Sequence, residues 1–125
     1  MKFIRTTIVA LFITGAFVAC SKDHDAPAFS IEGSWNGKIG TGAATPSGQY
    51  ALHIKQGGNL DRIGSTGSVS ASGTWTLQGN AFTGTYFYSN GTVVDITGTV
   101  DKTTNKITGT WSNNGNETGT FYVNK

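Results

Sequence analysis

Cysteine, proline, histidine and charge are all scarce in this 125-residue sequence, and each shortage removes a class of explanation. The single cysteine, Cys20, excludes a disulfide framework within the chain, so stability must come from core packing. The two histidines, His24 and His53, stand at no recognisable metal-ligand spacing, so no metal site is expected. No Ser, His and Asp set can converge, and no two carboxylates share an inward face. The chain is therefore expected not to be an enzyme and to need no cofactor. Only 13% of residues are charged. Two of the nine basic residues, Lys2 and Arg5, lie in the first five positions, which leaves seven against seven acidic residues. A neutral chain without a basic cluster has no footprint for nucleic acid.

Long apolar runs are missing as well. Ile8 to Val18 is shorter than the roughly twenty residues that a membrane-spanning helix needs. Behind Lys2 and Arg5 it has the length and charge of a secretory signal, and it ends in Phe17-Val18-Ala19-Cys20. That ending resembles a bacterial lipobox, in which the cysteine is lipidated and becomes the mature N-terminus. The resemblance implies a signal peptide over residues 1–19, a lipid anchor on Cys20 and a flexible tether over residues 20–30. Ser21 resembles the outer-membrane sorting signal. Ser21-Lys22-Asp23-His24-Asp25 resembles the export tag of surface-displayed lipoproteins, with a solvated spacer as the alternative. The expected location is the outer membrane, with display at the cell surface as the further step.

What the sequence does have is glycine, threonine and aromatics in a strict order. Nothing after Ser30 shows helical apolar spacing, whereas alternation is clear. Gly73, Trp75 and Leu77 share one face against Thr74 and Thr76; Gly84, Tyr86 and Tyr88 share one against Thr83 and Thr85. Ile107, Gly109 and Trp111 oppose Thr108 and Thr110, and Gly119, Phe121 and Val123 oppose Thr118 and Thr120. Such strands have one dry and one wet side. Turns at Gly79-Asn80, Ser89 to Gly91, Lys102 to Asn105 and Asn114 to Asn116 keep every inward residue facing inward across the hairpins. Asn90-Gly91-Thr92 and Asn116-Glu117-Thr118 match glycosylation sequons but fit here as bare turns.

In that register each large ring faces a glycine on the next strand, which gives the ring room and lets the sheet bend. Eight strands are predicted, near 32–39, 49–56, 62–69, 73–78, 81–88, 92–101, 106–112 and 117–124. They form one all-β domain over residues 31–125. The expected fold is an eight-stranded antiparallel up-and-down barrel, with an open β-sandwich as the alternative. A turn over Ser70 to Ser72, pairing Gly67 with Trp75, is part of this expectation.

The opening Gly33-Ser34-Trp35, the hairpin-only connectivity and the terminal Gly-Thr-aromatic strand resemble the lipocalin-like, or calycin, barrels. The repeated Gly-Thr-Trp is similar to that of the avidin-like barrels. No ligand-binding residue carries over from either family. The two ends of the barrel should differ. Ile31, Ile54, Ile63, Leu77, Phe82, Val100, Ile107 and Val123 are expected to form an apolar plug at the end that bears the anchor. The other end should collect Tyr50, Tyr86, Tyr88, Trp111 and Glu117 beneath the loop from Gly40 to Gly48, the candidate ligand-binding residues. Two functions fit: capture of a small apolar or aromatic molecule at this mouth, or a protein-interaction or inhibitor module acting through the distal loops.

Overall fold

Period-two alternation, with β-branched threonines outward and rings inward, builds eight strands and one short 3-10 turn. The computed structural model describes residues 28–125. The signal peptide, Cys20 and the tether up to residue 27 lie outside the described residues. The strands are β1 (Gly33–Thr41), β2 (Gly48–Lys55), β3 (Asn59–Ile63), β4 (Val69–Gln78), β5 (Ala81–Phe87), β6 (Val93–Asp101), β7 (Lys106–Asn113) and β8 (Thr118–Asn124). Each pairs antiparallel with the next, and β8 returns to β1 with Gly37 opposite Val123, so the barrel is closed. Closure satisfies both edges, which an open sandwich would leave exposed.

The glycine–ring rule holds around the wall. Gly37 faces Tyr50, Gly73 faces Tyr86, and Gly84 faces Trp75. Gly98 faces Phe82, Gly109 faces Phe121, and Gly119 faces Trp111. At Gly84 a Cβ would meet Leu60 Cδ2 at 2.9 Å and Ile96 Cγ1 at 3.2 Å, so the closest crowding there comes from neighbouring aliphatics rather than from the Trp75 ring opposite. On the wet side, threonines bond across strands: Thr76 and Thr83 hydroxyls lie 2.6 Å apart, and Thr85 Oγ1 donates to Asp95 at 2.6 Å.

The plug is apolar and dry. Trp35, Ile54, Leu60, Phe82, Val100, Ile107 and Val123 are fully or almost fully buried, and Trp35 Nε1 donates to Ile31 O at 2.8 Å. Trp75 and Leu77 pack on this core while partly exposed. Trp75 stacks on Phe82, and its Nε1 donates to Lys55 O at 2.8 Å.

Two neighbouring hairpins, those on either side of β3, depart from expectation. The β2–β3 connection is a tight 3-10 turn, Gln56–Gly58, in which Gly57 and Gly58 take positive φ. That conformation is open to glycine and strained for other residues. The tight turn starts β3 at Asn59 rather than at 62. Leu60 consequently enters the core where Ile63 was expected, and Ile63 faces outward, only partly buried. Gly67 lies in the β3–β4 loop and does not pair with Trp75. Ser70 to Ser72 are not a turn but part of β4, which pairs Leu60 with Gly73 and Arg62 with Ala71. The same shift turns Arg62 inward.

Candidate functional site

The loops Gly42 to Ser47, Gly64 to Ser68, Tyr88 to Thr92 and Asn114 to Glu117 cluster at the barrel end away from Ile31, as hairpin connectivity requires. Two of them are tied together. Asn114 Nδ2 donates to Gly91 O at 3.0 Å, and Asn114 Oδ1 accepts from Val93 N at 3.1 Å. The turns use the residues that suit them: Gly91 takes positive φ in one, and Asn116, rather than Gly115, takes it in the other.

Beneath these loops, Tyr50 on β2 and Tyr86 on β5 reach across the barrel, and their hydroxyls meet at 2.9 Å. Tyr50 is fully buried and Tyr86 is 2% exposed. The Tyr50 ring meets Phe121 edge-on at 5.4 Å, and the half-buried Tyr88 meets Tyr86 edge-on at 5.9 Å. Arg62 lies over this pair, its guanidinium carbon 4.7 Å from the centre of the Tyr50 ring, a cation–π distance. It donates to the carbonyls of Ile63 and Gln49. The ion pair among the described residues is elsewhere, on the outer wall, where Lys55 Nζ meets Asp61 at 2.9 Å. Burial opposes ionisation of Asp61, but hydrogen bonds from Lys55 and Ser72 outweigh it and hold the carboxyl below its usual range.

The expected mouth residues thus divide. Tyr50, Tyr86 and Tyr88 are brought together. Trp111 is buried beside them as a strut, its Nε1 donating to Gly40 O at 2.8 Å. Glu117 does not join the group. It is exposed in the β7–β8 turn, and Asn113 Nδ2 holds its carboxylate at 2.9 Å. Arg62 was missed because its inward direction depends on where the β2–β3 turn ends. The glycine pair Gly57-Gly58 was the signal that could have fixed it.

The Tyr50 and Tyr86 rings occupy the interior at this end, shielded from solvent. Two concavities of ≈ 370 Å³ lie outside it: one over β6–β8 along Asp95, Thr97, Thr110 and Thr118, the other at the base between Phe29, Lys102 and Lys125. A molecule at the mouth would therefore rest on Arg62, Tyr88 and the tyrosine pair rather than sink into a chamber. Among the described residues no group of His, Cys, Asp and Glu could hold a metal ion, and no helix is long and apolar enough to cross a membrane.

No protein-family model and no curated protein matches this chain. It is similar to the solved structure of a redesigned β-barrel, mFAP1, bound to DFHBI. The TM-score is 0.56 at 16% identity, over 76% of this chain and 94% of the other. The likeness is one of fold.

Burial raises the pKa of both tyrosines. Tyr50 is pushed well above the usual tyrosine value by burial and by its neighbour Tyr86. Tyr86 is pushed up to about 12, burial outweighing the favourable hydrogen bond from Tyr50 and the nearby Arg62 charge. An unfolded tyrosine ionises near pH 10, so from there to about pH 12 the folded state binds more protons than the unfolded state. Stability should therefore fall as pH rises through that window, by up to about 3 kcal/mol from Tyr86. Urea denaturation across the window checks this, and Tyr86→Phe should flatten the decline. An unchanged pH dependence in that variant would contradict the assignment.

Proposed function

We propose that this protein is a lipid-anchored binding barrel of the outer membrane that takes up a small apolar or aromatic molecule at its mouth, without catalysis. The observation that carries the binding half is the convergence of Arg62, the Tyr50–Tyr86 hydroxyl pair and the half-buried ring of Tyr88 at one end of a closed barrel. Rings with polar tips beside a few placed polar groups are the usual lining of small-molecule sites. The barrel of similar fold, mFAP1, was solved with a small molecule bound. The anchoring half rests on Phe17-Val18-Ala19-Cys20 behind a charged and apolar leader. With the chain leaving the barrel base near Ile31, an anchored protein would present its mouth away from the membrane.

Each half has its own test. Cys20→Ser should move the protein from the membrane to the soluble fraction. Unchanged detergent partitioning of that variant would rule out lipidation. Tyr88 lies at the rim, so Tyr88→Ala should weaken the binding of an aromatic probe at least several-fold while costing less than about 2 kcal/mol of stability. A fully buried ring would cost about 3 kcal/mol or more. Chemical unfolding separates the two, and a large loss would mean that the rim is simply core.

A second reading is favoured by a different observation. Val69 and Phe87, at the mouth-side ends of β4 and β5, are 55% and 54% exposed. Exposed large apolar side chains beside a ring-filled interior suit a module that grips another protein with its distal loops. Phe87→Ser leaves the barrel interior untouched. Loss of function in that variant with small-molecule binding intact would favour this second reading.

A further inference from the structure

The outer wall of the barrel carries a chemistry of its own, away from the mouth. Alternation turns Ile96, Trp111 and Phe121 inward, so the residues between them face solvent. Register then lines up their side chains across three strands. Thr97 stands opposite Thr110, and Thr110 opposite Thr120; in the next row Asp95 stands opposite Ser112, and Ser112 opposite Thr118. These six residues line an open concavity of ≈ 370 Å³ over β6, β7 and β8. Gly42 of the β1–β2 loop borders it, tied down where its N–H donates to Thr118 O at 2.7 Å.

The hydroxyls of this groove differ from those beside it. On β4 and β5 they are spent within the wall: Thr76 meets Thr83, and Thr85 donates to Asp95 Oδ1, both at 2.6 Å. Among the described residues the hydroxyls of Thr97, Thr110, Ser112, Thr118 and Thr120 make no hydrogen bond, and neither does the second oxygen of Asp95. Each hydroxyl can donate once and accept twice. No Lys, Arg or His lines the groove, and its one ring, Trp111, is buried. Five uncommitted hydroxyls and a carboxylate, without a cation and with little apolar surface, repel an anion and offer a lipid nothing. They match a ligand that is itself a dense array of hydroxyls, and the threonine methyls give the C–H face of a sugar ring something to cover. Neighbouring strands lie about 4.8 Å apart, so β6 to β8 present a track of about 10 Å, room for a pair of sugar rings. We propose that this groove binds a neutral polysaccharide, with the threonines exchanging hydrogen bonds with its hydroxyls and Asp95 accepting from one of them. The site is independent of any molecule taken up at the mouth.

Native electrophoresis through gels containing dextran, laminarin, xylan or mannan tests this on the whole protein. At least one of these neutral polymers should retard it, and the anionic polygalacturonate should not. Thr110→Val combined with Thr120→Val removes two hydroxyls but keeps two β-branched strand formers, so the fold should persist, as an unchanged urea midpoint would show. That variant should bind the retarding polymer at least about tenfold more weakly, at about fivefold for each lost hydrogen bond. Thr76→Val combined with Thr83→Val, outside the groove, should leave the retardation unchanged, and so should Tyr88→Ala at the mouth. Retardation by none of the four neutral polymers would overturn the proposal, as would stronger retardation by polygalacturonate. Retardation that survives Thr110→Val with Thr120→Val, or that is lost equally with Thr76→Val and Thr83→Val, would overturn it as well.

Discussion

Gly73→Ala is expected to cost about 3 kcal/mol or more, a large share of the 5–15 kcal/mol that holds a domain of this size together. A Cβ at Gly73 would overlap the carbonyl oxygen of Thr85 and press on Tyr86 Cα at 2.7 Å. Both are backbone atoms of the paired strand β5, so no rotamer change can relieve the contact. The strands would have to part where Gly73 faces Tyr86, and the Tyr50–Tyr86 bond beneath the mouth would be disturbed with them. Gly64→Ala is the control, because the nearest atom to its Cβ is Ser68 O at 3.6 Å, an ordinary contact. That change should stay within about 0.5 kcal/mol. Urea titrations of the two variants decide it. Similar midpoints would mean that the close approach of β4 and β5 is not what bends the barrel.

The second large effect is at the other end. Trp35→Ala should lose about 3–5 kcal/mol, the usual cost of removing a buried ring. The ring is fully buried among the plug residues, and its Nε1 donates to Ile31 O at 2.8 Å. Truncation would open a cavity and free the segment that enters the barrel. Lys125, whose ammonium lies 5.9 Å from the Trp35 ring centre and 2.6 Å from Ser30 O, would lose one of its two contacts. Thermal unfolding followed by near-ultraviolet dichroism reports both the stability and the loss of ring packing. A loss below about 1 kcal/mol would contradict the role of Trp35 as the centre of the plug.

These two residues bear on the two ends very differently when only the sequence is read. The plug was mostly legible, because burial of Phe82, Val100, Ile107 and Val123 follows from alternation alone once the hairpin turns are placed. The mouth was half legible. Tyr50 on β2 and Tyr86 on β5 follow from alternation, and Tyr88 stands just past the end of β5. Arg62 lies on β3, where the turns at both ends differ from expectation, and a one-residue change of phase moves every side chain of a strand to the opposite face.

Alternation and turn chemistry, which are local properties, fixed the all-β class, the eight hairpin-linked strands and the ring–glycine pairs outside β3, because a period of two leaves a hairpin one consistent register once its turn is placed. The tertiary structure decided what depends on distant neighbours. Closure of β8 on β1 brought Gly40 O to Trp111 Nε1 across seventy-one positions of sequence and made that ring a strut. It also set two phenols thirty-six positions apart in hydrogen-bond contact, and laid a guanidinium over one of them. No local pattern encodes such meetings, because they arise only when the curvature set by all the strands together fixes the width of the barrel.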